Sequence, residues 1–445
     1  MDKARMTAAK ALIKVEQKGG YSNLSLDTLL SQSGLPRRDR AFAAALFYGV
    51  LERMLTLDGV IGAYSKTPLE KLTVQVRVAL QMGLYQMLYM DSVPDSAAVN
   101  ESVNLIKALG LSKASGFVNG VLRSVLRAEK KLPLPDEESD LPGHLSLRYS
   151  CPRWLVERWL KSYGPSRCRG ILEASLGRPP LYIRVNTVKT DMPSLISRLE
   201  AEGVQARPVQ GVENALALAG TGEMGSLPAF QEGLFHVQDL ASQLCARAMA
   251  PAPGERVYDL CSAPGGKAFT MAQLMENRGE LLAFDIHKHK INLIAEGAQR
   301  LGLDCIKSAL GDASRFREDL PAADRVLCDV PCSGLGIIRR KPEIKYKEEQ
   351  SLLGLPSIQY KILENAAKYV KVGGRLLYST CTLCREENEK NTERFLQEHP
   401  EFGPCALPAC FDRLFPPRES AHQVTIFPED MGSDGFFIAV FTKLR

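Results

Sequence analysis

No apolar run in the 445-residue chain approaches the ~18 residues that a membrane-spanning helix requires, which argues against an integral helical membrane protein. The opening stretch, MDKARMTAAKALIKV, is amphipathic and lacks the apolar core and small-residue cleavage site of a secretory signal, so a cytoplasmic location is expected. Its 11 cysteines are odd in number and follow no secreted-scaffold spacing, which excludes a disulfide framework and leaves reduced thiols. No GxGxxG and no Walker A loop is present, which removes the usual signatures of dinucleotide and nucleoside triphosphate binding. Cys381 and Cys384 form a CxxC, but no second CxxC or HxxxH accompanies it, so no metal is expected. There is no internal repeat that would make a solenoid.

What is present is the composition of a globular protein, 45% hydrophobic and 24% charged, in which burial can offset chain entropy unaided. The length predicts two or three domains. The formal charge of +5 is unevenly shared. Residues 1–131 carry 18 Lys and Arg against 11 Asp and Glu, a net of +7, so the remainder carries −2. A basic module beside a near-neutral one suits a polyanion such as RNA, while a solvated helical surface would account for the charge alone.

From Ala4 to about Arg127 apolar residues recur at three and four spacings, as in AFAAALFYGVLERMLTL and VRVALQMGLYQMLYM, with turn signals at Gly19-Gly20, Ser33-Gly34 and Pro94. This predicts an all-α domain of about six helices over residues 1–131. Residues 132–143, LPLPDEESDLPG, join prolines to a run of acids and predict an extended linker. A small α/β subdomain follows over 144–235, where a β-branched run leads through Asp191 and Pro193 into an amphipathic helix. Over 236–445 the apolar runs RVYDL, ELLAFD, CIKSAL, RVLCD and GRLLYST alternate with helical patterns. That grammar predicts an α/β, doubly wound, mostly parallel Rossmann-like sheet whose ligands bind beyond the carboxyl ends of its strands.

The motifs fall at those ends. Cys261, Ser262, Ala263, Pro264, Gly265, Gly266 and Lys267 follow the first strand, and paired glycines let a backbone approach a ligand closely. Asp285, nineteen residues after Gly266, ends the next strand, where a carboxylate can accept hydrogen bonds from ribose hydroxyls. Gly311-Asp312 follows the third and could place a carboxylate near an adenine amino group. Asp329-Val330-Pro331-Cys332 ends the fourth strand and Ser379-Thr380-Cys381 the fifth. A lone cysteine reads as a small buried hydrophobe and a lone aspartate as a turn cap, but two cysteines and an acid at neighbouring strand ends could share one substrate. Cys151, Cys168, Cys245, Cys305, Cys328, Cys405 and Cys410 show no ligand spacing.

In this order DLCSAPGGK, Asp285, Gly311-Asp312, DVPCSGLG, STC and the late GSDGFF resemble the motifs of Sun-family RNA 5-methylcytosine methyltransferases over residues 145–445. The N-terminal helices resemble NusB, an RNA-binding fold, and the fusion is similar to that in small-subunit ribosomal RNA methyltransferases. The resemblance implies that Cys261 through Lys267, Asp285, Asp312 and Asp329 surround S-adenosylmethionine. It also implies a nucleophilic Cys381, with Cys332 assisting product release and Asp329 and Lys267 supporting the chemistry. Two departures stand out: Ser262 where alanine is common, and Lys341 where a histidine is frequent.

The implied substrate is RNA, small-subunit ribosomal RNA foremost, with the enzyme a monomer. Arg37, Arg38, Arg40, Arg123, Arg127, Lys130 and Lys131 are candidates for phosphate contacts, as are Arg339, Arg340 and Lys341 beside the catalytic loop. Three rival readings remain: a transfer RNA substrate, a non-catalytic NusB-like assembly factor, and a nicotinamide-dependent oxidoreductase sharing the sheet. The missing GxGxxG and the paired cysteines count against the last.

Overall fold

The computed structural model describes residues 2–18, 22–415 and 420–445, so the turn expected at Gly19-Gly20 lies outside the described residues. The chain forms two compact units, Met1–Gly177 with Ile338–Lys347, and Arg178–Ile337 with Glu348–Arg445.

The first unit opens with six α-helices, as the periodicity predicts: α1 (Lys3–Lys18), α2 (Ser22–Gln32), α3 (Arg37–Tyr64), α4 (Val74–Tyr89), α5 (Asp95–Ala108) and α6 (Ser115–Arg127). Leu46, Phe47, Val50, Leu80, Leu84, Val118 and Leu122 are fully or almost fully buried between them. Helix α4 is apolar around most of its circumference, which suits a central position. A glycine on α3 makes room for the Tyr85 ring of α4, since a Cβ at Gly49 would lie 2.0 Å from Tyr85 Cζ and the ring would have to move. The half-buried Asp58 carboxyl accepts from Gln81 Nε2 at 2.7 Å and is pushed up to about 6 by desolvation.

Two further helices come next, α7 (Leu141–Tyr149), whose first turn takes in the last three residues of the linker expected at 132–143, and α8 (Arg153–Ala174, broken at Gly164). The compact units do not divide at 132–143: both helices belong to the first unit and the second begins at Arg178. The reason is long-range packing. Thr56 Oγ1 donates to Leu147 O at 2.6 Å, Leu55 N donates to Ser150 Oγ at 3.0 Å, and a Cβ on Gly59 would meet Leu147 Cδ1 at 2.4 Å. Composition marks an exposed connection but does not reveal which helices dock across it.

Ile338–Lys347 completes this unit: Lys345 Nζ donates to Glu52 O and Tyr346 OH to Leu51 O, each at 2.7 Å. Burial lowers the Lys345 ammonium to about 8. Arg339, Arg340 and Lys341 follow the DVPCSGLG motif in sequence but are part of the helical unit.

The second unit begins with an antiparallel sheet of order β2-β3-β1-β4, formed by β1 (Leu181–Val185), β2 (Gln205–Pro208), β3 (Ala215–Ala219) and β4 (Phe235–Val237). It carries α9 (Met192–Ala201) and the short α10 (Pro228–Gln231). Asp191 caps α9 by accepting from Ser194 N at 2.8 Å, and Ile183, Leu195, Leu199, Leu216 and Phe235 form the core.

Next come α11 (Leu240–Met249), β5 (Arg256–Asp259), α12 (Gly266–Leu274), β6 (Glu280–Asp285), α13 (Lys288–Leu301), β7 (Ile306–Leu310) and β8 (Ala323–Asp329). The chain then runs through α14 (Leu355–Tyr369), β9 (Val370–Thr380), α15 (Glu389–Glu398), β10 (Phe402–Pro404), α16 (Cys410–Leu414), β11 (Gln423–Ile426), α17 (Pro428–Met431) and β12 (Phe436–Lys443). The sheet order is β10-β12-β9-β8-β5-β6-β7, with β9, β8, β5, β6 and β7 parallel. These are the five strands expected from the apolar runs.

Strands β10 and β11 pair antiparallel with β12, which is itself antiparallel to β9; the alternating pattern gave no sign of these three. Strand β12 opens with a continuous apolar run, FFIAVF, buried on both faces, and such a run has no period-two signal. Winding reverses between β5 and β8, the place where doubly wound sheets open a crevice. No described helix is long and apolar enough to cross a membrane.

Thr56→Val keeps the shape but leaves the Leu147 carbonyl without its donor, so it should lower stability of the full chain by about 1–3 kcal/mol. Denaturant unfolding reads this. Unchanged stability would show that α7 owes nothing to that bond.

Candidate active site

Strand register brings the motifs to one edge. Asp259 pairs with Ala283 on β6 and Leu327 on β8, Asp285 with Leu310, and Asp329 with Ser379, so all five parallel strands end together. The turn after β5 is tied to that edge because Ser262 N donates to Phe284 O at 2.7 Å and Gly265 N closes on Ser262 O at 2.7 Å. Gly265 holds φ at 108°, and a Cβ there would strike the Phe269 ring at 2.5 Å, so glycine is required on both counts. Helix α12 starts at once, presenting its first amide groups at the same edge.

Asp285 is buried, with Oδ1 accepting from His287 N at 2.9 Å. Asp312 accepts from Ser314 N and Oγ at 2.9 and 2.7 Å, and these bonds hold its carboxyl below the usual range. Beside Asp312 a concavity is lined by Leu260, Phe284, Gly311, Ala313, Asn365 and Tyr369.

Lys267 Nζ and Asp329 Oδ2 form an ion pair at 2.6 Å, and Ser379 Oγ donates to Asp329 Oδ1 at 2.8 Å. Both carboxylate oxygens are thus engaged by donors. Burial acts to lower the Lys267 ammonium, but Asp329 and then Cys245 outweigh it and hold it above the ordinary lysine value. The ammonium also lies 5.0 Å above the Phe436 ring.

Asp259 differs from the other acids. It is 1% exposed and neither oxygen has a hydrogen-bond partner; the buried Ser262 hydroxyl is unpartnered too. Burial, then the charge of Asp329, push the Asp259 carboxyl up to about 7, and the charge of Lys267 opposes them only in part.

The two cysteines meet: Cys332 Sγ and Cys381 Sγ are 3.3 Å apart, both free thiols and both partly exposed. The Cys332 thiol is pushed well above its usual range by its hydrogen bond with Cys381, then by burial. Backbone holds them there, because Gly336 N donates to Cys381 O at 3.0 Å and Gly435 N to Gly336 O at 2.8 Å. Cys384, the other half of the CxxC, is buried, and the described residues contain no group of three or more His, Cys, Asp or Glu that could hold a metal.

Of the basic residues proposed for phosphate contact, Arg37, Arg38, Arg40, Arg123, Arg127, Lys131 and Lys341 are exposed, while Lys130 pairs with Asp95 at 2.8 Å. Sequence reasoning gave no role to Phe436 or to Glu387, whose carboxylate accepts from Ser333 N at 2.9 Å. Glu387 lies in the run REENEKNTE, which reads as a solvated helix face; its place three residues after the CxxC was the only available signal.

Three family models match the chain: 16S rRNA methyltransferase RsmB/F over residues 246–442, the NusB family over 2–127, and an RsmF/B-like ferredoxin-like domain over 151–224. The chain is 39% identical over 443 residues to the probable ribosomal RNA small subunit methyltransferase B of Bacillus subtilis, covering 99% of this chain and 98% of that one. It is 36% identical over 448 residues to the protein of the same description from Synechocystis, covering 100% of each. Among solved structures, the crystal structure of PH0851 superposes with a TM-score of 0.82 at 28% identity, covering 100% of this chain and 99% of that one.

The Asp259 geometry generates a pH prediction. Its carboxyl lies at about 7 in the folded protein, against about 3.9 in an unfolded chain, so the stability it contributes is fully present below about pH 4. That contribution is lost as pH rises through about 7. Asp259→Asn should therefore gain on the ligand-free wild type between about pH 4 and 7 and hold a constant advantage above. Parallel stability curves for the two proteins in urea unfolding would contradict the assignment.

Proposed function

The chain belongs to the 16S rRNA methyltransferase RsmB/F family, and from that premise we propose that it methylates carbon 5 of a cytosine in small-subunit ribosomal RNA through a covalent Cys381 adduct. The methyl donor of this methyltransferase is S-adenosylmethionine, which supplies an electrophilic methyl group on a sulfonium. The residues present suit it. Asp259 and Ser262 are buried polar groups without partners beside a glycine turn, and the buried Asp285 and the Asp312 concavity lie along the same edge. In this reading residues 261–267, Asp285, Asp312 and Asp329 hold the cofactor.

Carbon 5 of cytosine is too weak a nucleophile to take a methyl group unaided. Attack of the Cys381 thiolate on carbon 6 makes carbon 5 enamine-like, so that it can accept the methyl group held in line. Asp329, anchored by Lys267 and Ser379, hydrogen-bonds ring nitrogen 3 as charge moves onto the ring. Lys267 stays cationic beside it and fixes its orientation. After transfer the carbon 5 proton must leave before Cys381 can be expelled, and Cys332, 3.3 Å from Cys381, serves that step directly or through water.

The sulfur pair carries this reading. Cys332 Sγ lies 3.3 Å from Cys381 Sγ, within reach of the same base, and in this account Cys381 is the attacking sulfur. The target base must be unpaired or flipped out for carbon 6 to be reached. The basic first unit, with exposed Arg37, Arg38 and Arg40 on α3, engages the RNA backbone in this account.

Cys381→Ala should abolish transfer of labelled methyl to small-subunit RNA while S-adenosylmethionine binding, read by calorimetry, persists. Retained transfer would sink the proposal, and wild-type RNA binding with no transfer by the native protein would favour an assembly factor instead. Cys332→Ala should accumulate a Cys381-dependent protein–RNA adduct as a slow band in a denaturing gel. Methyl transfer without that band would remove the release role. Mapping methylated cytosines with and without the protein distinguishes ribosomal from transfer RNA.

A further inference from the structure

The buried carboxylate of Glu387 is unused by the chemistry above. Glu387 is 1% exposed, and its Oε2 accepts from Ser333 N at 2.9 Å and Gln359 Nε2 at 2.7 Å. Gln359 Nε2 also donates to Pro331 O at 3.1 Å, so these two side chains grip the residue on each side of Cys332. The backbone of Glu387 is itself fixed, its carbonyl accepting from Tyr378 OH at 2.5 Å. Its other carboxylate oxygen, Oε1, is buried without a partner. A buried acid with an unsatisfied oxygen is costly, and what this one does is clamp the loop.

We propose that Glu387 is a positioning residue for Cys332, holding its sulfur beside Cys381 so that the methylated product can be released. This rests on the reading of Cys332 as the group that serves proton removal. In that step the carbon 5 proton passes to the Cys332 thiolate or to water beside it. The electron pair of the broken C–H bond re-forms the carbon 5–carbon 6 double bond, and the carbon 6–sulfur bond breaks to return Cys381 as thiolate. A clamp that slips moves Cys332 away from this proton, while the Gly336 N to Cys381 O and Gly435 N to Gly336 O bonds still hold the Cys381 backbone. Glu387 also contributes its negative charge to the raised Cys332 thiol.

The test uses the full chain, labelled S-adenosylmethionine and small-subunit RNA, with adduct read on denaturing gels and folding read by thermal melting. Glu387→Asp withdraws the acceptor by about 1.5 Å, one carbon–carbon bond. It should accumulate Cys381-dependent adduct on the order of tenfold above wild type, since ångström displacements of a reacting group are costly. Glu387→Gln keeps an oxygen in place for Ser333 N, so it should release product near the wild-type rate, with the pH midpoint of release shifted downward as the charge is lost. A folded Glu387→Asp with no excess adduct, beside a Cys332→Ala control that accumulates it, overturns the proposal. Accumulation by the Gln variant with none by the Asp variant also overturns it, because charge rather than position would then be responsible. Methyl transfer without adduct in the Cys332→Ala control shows instead that the release reading itself has failed, and the clamp falls with it.

Discussion

Three segments far apart in sequence cross at a single backbone contact. Gly336 N donates to Cys381 O, Gly435 N donates to Gly336 O, and a Cβ on Gly336 would lie 2.0 Å from the Gly435 carbonyl oxygen. No side chain fits between these strands of chain. The contact draws the loop after β8, the end of β9 and the entry to β12 together, and the two sulfur atoms come within 3.3 Å as a consequence. Strand β12 sits between β9 and β10, so its insertion into the sheet fixes Gly435 and Phe436 in place. Phe436 then faces the Lys267 ammonium. The two thiols are thereby set on rigid elements, as the covalent mechanism proposed above requires.

Around that contact the electrostatics are uneven by design of the sheet. Asp329 is satisfied on both oxygens, Asp312 is held by Ser314, and Asp259 has no partner at all. Unpaired buried carboxylates and hydroxyls weaken the ligand-free protein, and sites that must bind a polar ligand commonly carry such a cost. Glu387 shows the opposite case, a buried acid whose bonds act on the placement of a neighbouring loop.

Much of this was readable from the chain. The five parallel strands announced themselves as short apolar runs, and because ligands in such sheets gather at the carboxyl ends, Asp285, Asp312, Asp329, Cys332 and Cys381 could be assigned to one edge. The six N-terminal helices followed from spacing alone. Other features depend on contacts that no local pattern encodes. Helices α7 and α8 join the first unit because Thr56 and Gly59 receive Leu147, and Ile338–Lys347 joins it because Lys345 and Tyr346 bond to α3 carbonyls. Strand β12 hid in an unbroken apolar run, and Glu387 hid among charged neighbours that face water.

The central claim is that Cys381, and not the sulfur beside it, bonds to carbon 6 of the target cytosine. Small-subunit RNA carrying 5-fluorocytosine should trap the wild-type protein, since fluorine cannot leave as the proton does and the adduct cannot resolve. Digestion and mass spectrometry of the trapped complex should find the nucleotide and the transferred methyl group on the peptide containing Cys381. Attachment at Cys332, or methylation of the RNA with no trapped peptide, would contradict the account.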